Sequence, residues 1–345
     1  MGVIVTPAGR WLISSCCVAG GVMVRRRTFR DAVVLITGAS SGIGRATALA
    51  FAAEGARLVL ASRSQEALAE VERDCRARGG QVLVVPTDIA DPAAVERLAR
   101  LAVQRFGQID VWVEAVAVGV AGPLGSESVD EIRRLVDTNV FGTALCARAA
   151  LATFQAQGNG ILVLVGSLLS VFPNPLVPLY SMTKFAIRGL ALNLQQAVAR
   201  HPRIRVCLLL PGPVDTPFFE RAANHSGRQL RAIPPAYAPE RLAATILACA
   251  RRPRRQVTTG VVSHLALSAH RMAPRATESL VARWSATFLT KPATAAPGLG
   301  SLFDPPPTGA VHGGYRRSRV RRRLGEWLGV AQARTNRPTP ARPPV

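Results

Sequence analysis

The sequence predicts an α/β fold: a parallel sheet with helices packed on both of its faces. Three observations carry the prediction. Short, continuous apolar runs recur from residue 32 to about residue 260. Amphipathic stretches of helix length separate them, and the first run leads directly into a glycine-rich turn that opens a helix. A strand buried on both faces reads as an unbroken apolar run, and parallel neighbours need a crossover long enough for a helix.

In chain order, "AVVLI" (32–36) is the first strand, and the turn and helix behind it lead to "RLVLAS" (57–62). An amphipathic stretch over 64–78 connects to "QVLVVP" (81–86), and another over 92–106 leads to "DVWVEAVAV" (110–118). Helical patterning over 128–154 precedes "GILVLVG" (160–166), and a further stretch over 181–199 precedes "IRVCLLL" (204–210). "QVTTGVV" (256–262) adds an edge strand. One residue breaks the pattern. Glu114 stands in the middle of the fourth run, where carboxylates are seldom buried without a partner.

A chain of 345 residues holds one large α/β domain or two smaller ones, and 48% hydrophobic residues suffice for a substantial core. The formal charge is +22, concentrated at the ends: residues 1–30 hold five Arg and no acid, and 291–345 hold ten basic residues against Asp304 and Glu326. No nucleic-acid-reading motif accompanies this charge, so no specific nucleic-acid partner is expected. Residues 1–30 form an apolar and basic extension with two readings, a weak membrane anchor or a chain that starts at Met23. The apolar stretch 11–24 is shorter than the ~20 residues of a membrane span, and the heavier charge behind it favours a cytoplasmic main domain. Residues 31–262 are read as the main α/β domain, 263–290 as a helical extension, and 291–345 as a disordered Pro/Arg-rich tail. Within that tail "RRRLGEWLGV" (321–330) suits an anionic membrane surface, with a solvated tail as the alternative. Six scattered cysteines and five histidines show no metal-ligand or disulfide spacing, so no metal is expected and a reducing, cytoplasmic setting fits.

The glycines of the first turn are Gly38, Gly42 and Gly44, placed between a strand and a helix, with a second strand at the right distance. Glycine permits close backbone approach, and a helix N-terminus offers N–H groups and a positive dipole end to a pyrophosphate. The second strand ends in Ala61, Ser62 and Arg63, with no acid to meet a ribose 2′-hydroxyl, and Arg45 follows the loop. A guanidinium suits a 2′-phosphate, so NADP(H) is expected over NAD(H).

"TGASSGIG" (37–44), "YSMTK" (180–184), Ser167 thirteen residues before Tyr180, Asp88 in "TDIAD", Asn139 in "DTNVFG" and "PGPVDTPF" (211–218) share an order and spacing. Together, from about Val33 to Val262, they resemble the short-chain dehydrogenase/reductase family. The resemblance implies a single-domain, doubly wound Rossmann-type sheet, usually in a homo-oligomer, that moves hydride between NAD(P)(H) and an alcohol or carbonyl. It implies that Gly38, Ser40, Ser41, Gly42, Ile43 and Gly44 hold the cofactor's phosphates, with Arg63 and Asp88 at the adenosine and Pro211, Gly212 and Thr216 beside the nicotinamide. Tyr180 becomes the general acid/base and Lys184 its partner, which also contacts the nicotinamide ribose. Ser167 bonds the substrate oxygen, and Asn139 holds a relay water. Free phenol has a pKa of ~10, so an ammonium one helical turn away favours the phenolate. Only two of the 43 basic residues are lysine, Lys184 and Lys291, which singles out the first. The segment 213–241 is expected to close over the substrate, with Phe218, Phe219 and Tyr237 as an apolar wall facing 118–124, hence a hydrophobic carbonyl or alcohol. The family's Asn-Asn-Ala-Gly stretch is replaced by Glu114, Ala115, Val116 and Ala117. That departure keeps a second class open, a cofactor-binding or scaffold protein with impaired chemistry.

Overall fold

The computed structural model describes residues 29–315. β1 (Val33–Thr37), α1 (Gly42–Ala52), β2 (Arg57–Ser62), α2 (Gln65–Arg76), β3 (Gln81–Pro86) and α3 (Pro92–Phe106) form the first half. β4 (Val111–Glu114) and the two-residue β5 (Val120–Ala121) precede α4 (Val129–Val136), a π-helical turn (Asp137–Gly142), α5 (Thr143–Gln157) and β6 (Gly160–Val165). α6 (Pro178–Ala197), β7 (Ile204–Pro211), α7 (Phe218–Arg221), β8 (Ala223–Asn224) and β9 (Arg228–Leu230) follow. α8 (Pro239–Arg251), β10 (Gln256–Thr259), α9 (Val261–Met272), α10 (Pro274–Phe288) and β11 (Thr290–Thr294) complete the described chain.

Seven strands pair in the order β10-β7-β6-β4-β1-β2-β3, all in parallel. The expected doubly wound sheet is therefore present. Alternate residues of each strand go to opposite faces, and both faces are packed. Val34 and Ile36 join Phe51, Leu242 and Ile246 on one side, while Val33 and Leu35 join Leu98, Trp112 and Phe154 on the other. Two-sided burial is why the runs carry no polar alternation. Helix ends follow local chemistry: Ser64 accepts the Ala67 N–H to cap α2, and Asp91 accepts the Ala93 N–H ahead of Pro92, the first residue of α3. The order reverses between β1 and β4, so a crevice opens at their carboxyl ends.

The structure departs from the sequence reading in three places. The fourth strand ends at Glu114, not Val118, because the chain then leaves the sheet; the Asn139 side chain, rather than a neighbouring strand, bonds both the N–H and the carbonyl of Val118. The edge strand ends at Thr259, and Gly260 turns the chain into α9. Residues 291–315, read from composition as disordered, instead pack on the body: β11 pairs with β9, and Leu302 is buried among Val118, Val120, Leu135 and Leu179. The stretches 11–24 and 321–330 lie outside the described residues. Among those residues no helix is long and apolar enough to cross a membrane.

Candidate active site

A cavity of about 620 Å³ runs along the crevice from the glycine turn to the N-terminal end of α6. At one end, Gly38 takes a φ of 78°, and a Cβ there would stand 2.8 Å from the carbonyl carbon of Ala115. Gly44 is closed to any side chain, since its Cβ would lie 2.1 Å from the Gly38 carbonyl oxygen. These contacts draw the start of α1 tight against β1 and β4. Ser41 precedes α1 without a side-chain capping bond, and the Gly42 N–H meets the Ala310 carbonyl at 2.8 Å, so this helix end takes an oxygen acceptor. A cradle that excludes side chains beneath a helix N-terminus fits the pyrophosphate of a dinucleotide.

The next stretch of the cavity holds Arg63 and Asp88. Asp88 accepts the Ala90 N–H and pairs with Arg134 at 2.6 Å. Arg63 is not free. Its guanidinium donates to the carbonyls of Ser301 (2.6 Å), Leu302 (3.1 Å) and Phe303 (2.6 Å). Burial, then the Arg134 charge, lowers its pKa, while Asp88 and Asp304 oppose that shift. Arg45 pairs with Glu70 and Asp74 and donates to the Gly309 carbonyl at 2.7 Å.

At the far end, α6 starts with Pro178 at its first position and places Tyr180 and Lys184 one turn apart on one face. Tyr180 leans against Phe218, ring centroids 5.1 Å apart, and burial pushes its hydroxyl above the usual phenol range. Lys184 is 2% exposed; its Nζ donates to the Val165 carbonyl at 3.1 Å and lies 5.7 Å from the Tyr180 ring centroid. Ser167, directly beyond β6, lines the same cavity and accepts the Leu169 N–H through Oγ.

Glu114 explains its own burial here. It is 0% exposed, one Oε accepts the Val116 N–H at 3.0 Å, and the other has no hydrogen-bond partner. In register it faces Leu164, the residue before the carbonyl that holds Lys184. Burial raises the Glu114 carboxyl, with the Lys184 charge the largest opposing influence. Burial lowers the Lys184 ammonium, and Glu114 opposes that in turn. Cys146 of α5 shares the site, its thiol raised by burial first and Glu114 second.

Thirteen of the fifteen predicted site residues line this cavity: Gly38, Ser40, Ser41, Gly42, Ile43, Arg63, Asp88, Ser167, Tyr180, Lys184, Pro211, Gly212 and Thr216. Gly44 packs behind the loop. Asn139 stands behind the wall in the π-helical turn, its amide committed to Val118 and Thr183. Phe218, Phe219 and Tyr237 line the same cavity. Sequence reasoning missed the wall given by α10, through Leu280, Val281 and Trp284, and by Ser301, Pro305 and Pro306 of the C-terminal segment. An apolar stripe on α10 was the available signal for the first. Ser301, Pro305 and Pro306 carried none.

Comparison with known proteins agrees with this geometry. The short chain dehydrogenase family model matches residues 32–226. The uncharacterized oxidoreductase YxnA of Bacillus subtilis is 32% identical over 266 residues, covering 75% of this chain and 73% of the relative. The uncharacterized oxidoreductase Lmo0432 of Listeria monocytogenes is 32% identical over 203 residues, 59% of this chain and 82% of its own. A short chain dehydrogenase/reductase from Burkholderia phymatum, solved in complex with NAD, superposes with a TM-score of 0.66 at 26% identity, covering 78% of this chain and 100% of that one. A metagenomic short-chain oxidoreductase in complex with NADP gives 0.58 at 27%, covering 68% and 98%.

Proposed function

Because the chain belongs to the short-chain dehydrogenase family, we propose that it is an oxidoreductase moving hydride between a nicotinamide dinucleotide and an alcohol or carbonyl, with Tyr180 as general acid/base. The observation that carries this is one continuous cavity joining the glycine cradle to Tyr180 and Lys184. The dinucleotide, when bound, supplies or accepts the hydride. The chain's own residues do the rest. Tyr180 exchanges a proton with the substrate oxygen through its hydroxyl. Lys184, held by the Val165 carbonyl, stabilises the phenolate as that proton leaves. Ser167 stands at the cavity wall to donate its hydroxyl to the same substrate oxygen. Asn139 keeps the backbone beside Val118 in place, the part of the relay role that its contacts support.

The substrate reading is a hydrophobic carbonyl or alcohol, supported by the aromatic and aliphatic surfaces of α7 and α10. The lack of an acid at the end of β2 supports NADP(H) over NAD(H), with Arg63 as the residue that would meet a 2′-phosphate. A second reading is favoured by the altered stretch Glu114–Ala117: a dinucleotide-binding protein with impaired chemistry. One experiment separates them. A panel of carbonyls and alcohols, followed by cofactor absorbance, should show turnover that Tyr180→Phe lowers at least a hundredfold while dinucleotide affinity stays within about twofold, in line with the usual worth of general acid–base catalysis. Retained turnover in Tyr180→Phe removes its proposed role; binding without turnover in the unaltered chain selects the second reading.

A further inference from the structure

The C-terminal segment 298–315 does more than cover the crevice. Gly298 pairs by backbone with Asn224, and the Ser301 N–H bonds the Arg221 carbonyl at 2.7 Å. Leu302, 1% exposed, anchors the crossing. The Ala310 carbonyl accepts the Gly42 N–H at 2.8 Å, at the start of α1. Gly309 packs so closely that a Cβ on it would stand 1.9 Å from the Ser40 carbonyl oxygen. Further on, Gly313 and Tyr315 N–H groups bond the Asp215 carboxylate at 3.1 and 2.9 Å, and His312 pairs with Glu240. The segment thus touches the glycine turn, the nicotinamide side and the adenosine side in one pass.

Its hold on Arg63 has a chemical consequence. A guanidinium has five N–H donors, and both terminal nitrogens here face peptide carbonyls. A 2′-phosphate is recognised best by a bidentate pair from those nitrogens. The carbonyls and a 2′-phosphate therefore compete for the same donors, whereas a ribose 2′-hydroxyl makes no such demand. We propose that residues 298–315 form a strap that sets the choice of cofactor: any dinucleotide must displace Gly309 and Ala310 from the cradle, but only a 2′-phosphorylated one must also displace Ser301–Phe303 from Arg63. The proposal rests on the dinucleotide reading of the crevice, but not on Tyr180 chemistry.

The test uses the full chain and two probes of the adenosine half, adenosine 2′,5′-bisphosphate and 5′-AMP, titrated by calorimetry. Gly309→Ala introduces the clash with Ser40 and lifts the strap from the cradle, where the 5′-phosphate common to both probes would bind. Leu302→Ala removes its anchor, so the two variants loosen it by independent routes. Circular dichroism confirms that each is folded. For Leu302→Ala the expected result is a gain of about tenfold in affinity for the bisphosphate, or ~1.4 kcal/mol, with 5′-AMP changed less than threefold; Gly309→Ala should raise the affinity of both probes alike. Equal changes for both probes in Leu302→Ala, no change for either probe in either variant, or no binding of either probe to any form would overturn the strap's role. Loss of turnover with probe discrimination intact counts against the hydride-transfer reading alone.

Discussion

Glu114→Gln isolates the buried carboxylate whose charge opposes the desolvation of Lys184. Glutamine keeps the shape of the side chain and an oxygen to accept the Val116 N–H, so the substitution removes little except the carboxylate. In the unaltered chain burial lowers Lys184 to about 8, with Glu114 resisting that fall, and raises Glu114 to about 7, with Lys184 resisting in turn. Without the carboxylate, Lys184 meets the same desolvation unopposed, and its pKa falls further. A fall of one unit, ~1.4 kcal/mol, takes the ammonium fraction at pH 8 from about half to about a tenth. The assay is kcat/KM for carbonyl reduction from pH 6 to 9.5. Tyr180 lies above its usual range, so the phenol stays protonated across that window and the alkaline limb reports the Lys184–Glu114 pair. The unaltered chain should lose activity above about pH 8. The variant's limb should move at least one unit toward acid, with a roughly fivefold deficit at pH 8 and rates within about twofold at pH 6. A superimposable profile, or a uniform loss at every pH, would refute an electrostatic role for Glu114 and leave only packing.

Two further predictions concern the frame of the site. Gly44→Val forces a side chain into the Gly38 carbonyl, 2.1 Å from where its Cβ must stand, so the turn opens. Dinucleotide affinity measured by fluorescence titration should fall at least a hundredfold, and unchanged affinity would show that the cradle is not the phosphate site. Asn174, 3% exposed, joins the loop before α6 to α10 through Ser285 at 3.1 Å and accepts the Leu176 N–H. Asn174→Ala leaves Ser285 and that N–H without these partners, at about 1–3 kcal/mol. A lower midpoint in urea, with KM raised more than kcat is lowered, is the expected outcome; a raised KM at unchanged stability would mean that Asn174 touches substrate itself.

What was legible in the sequence depended on side-chain type acting over short range. Unbroken apolar runs encode two-sided burial, so the sheet could be read strand by strand. Gly38 and Gly44 encode close backbone approach, and Tyr180 with Lys184 encodes a shared helix face. Arg63 shows where this stops. Its type was read correctly, but its partners are peptide carbonyls about 240 residues away, and a carbonyl is common to every residue. Ser301, Leu302 and Phe303 therefore leave no mark in the sequence, and a stretch rich in Pro and Gly reads as disorder although backbone bonds and Leu302 pin it down. Glu114 shows the converse. Its misfit was plain, yet Lys184, the charge that most opposes its desolvation, lies 70 residues on and is linked to it through the pairing of β4 with β6 and the Val165 carbonyl.

Arg63 and Lys184 pose one physical problem with two solutions. Each is a cation withdrawn from water at opposite ends of a crevice read as a dinucleotide site, and each needs compensation before an anionic ligand arrives. Lys184 has a buried carboxylate with one oxygen lacking a hydrogen-bond partner, fixed in the central sheet, so its compensation remains whether or not the crevice is filled. Arg63 has neutral carbonyls on a surface segment, held there by one buried leucine and a set of backbone bonds. Carbonyl dipoles satisfy donors but do not cancel a full charge, so an incoming phosphate retains an advantage over them at Arg63. At Lys184 the Glu114 carboxyl, raised by burial to about 7, gains its charge as pH rises through that value, and the Val165 carbonyl supplies the rest of the compensation. Compensation at Lys184 is fixed in the sheet while that at Arg63 is exchangeable, so changes to the strap should alter the cofactor ratio without moving the Lys184 limb of the pH profile.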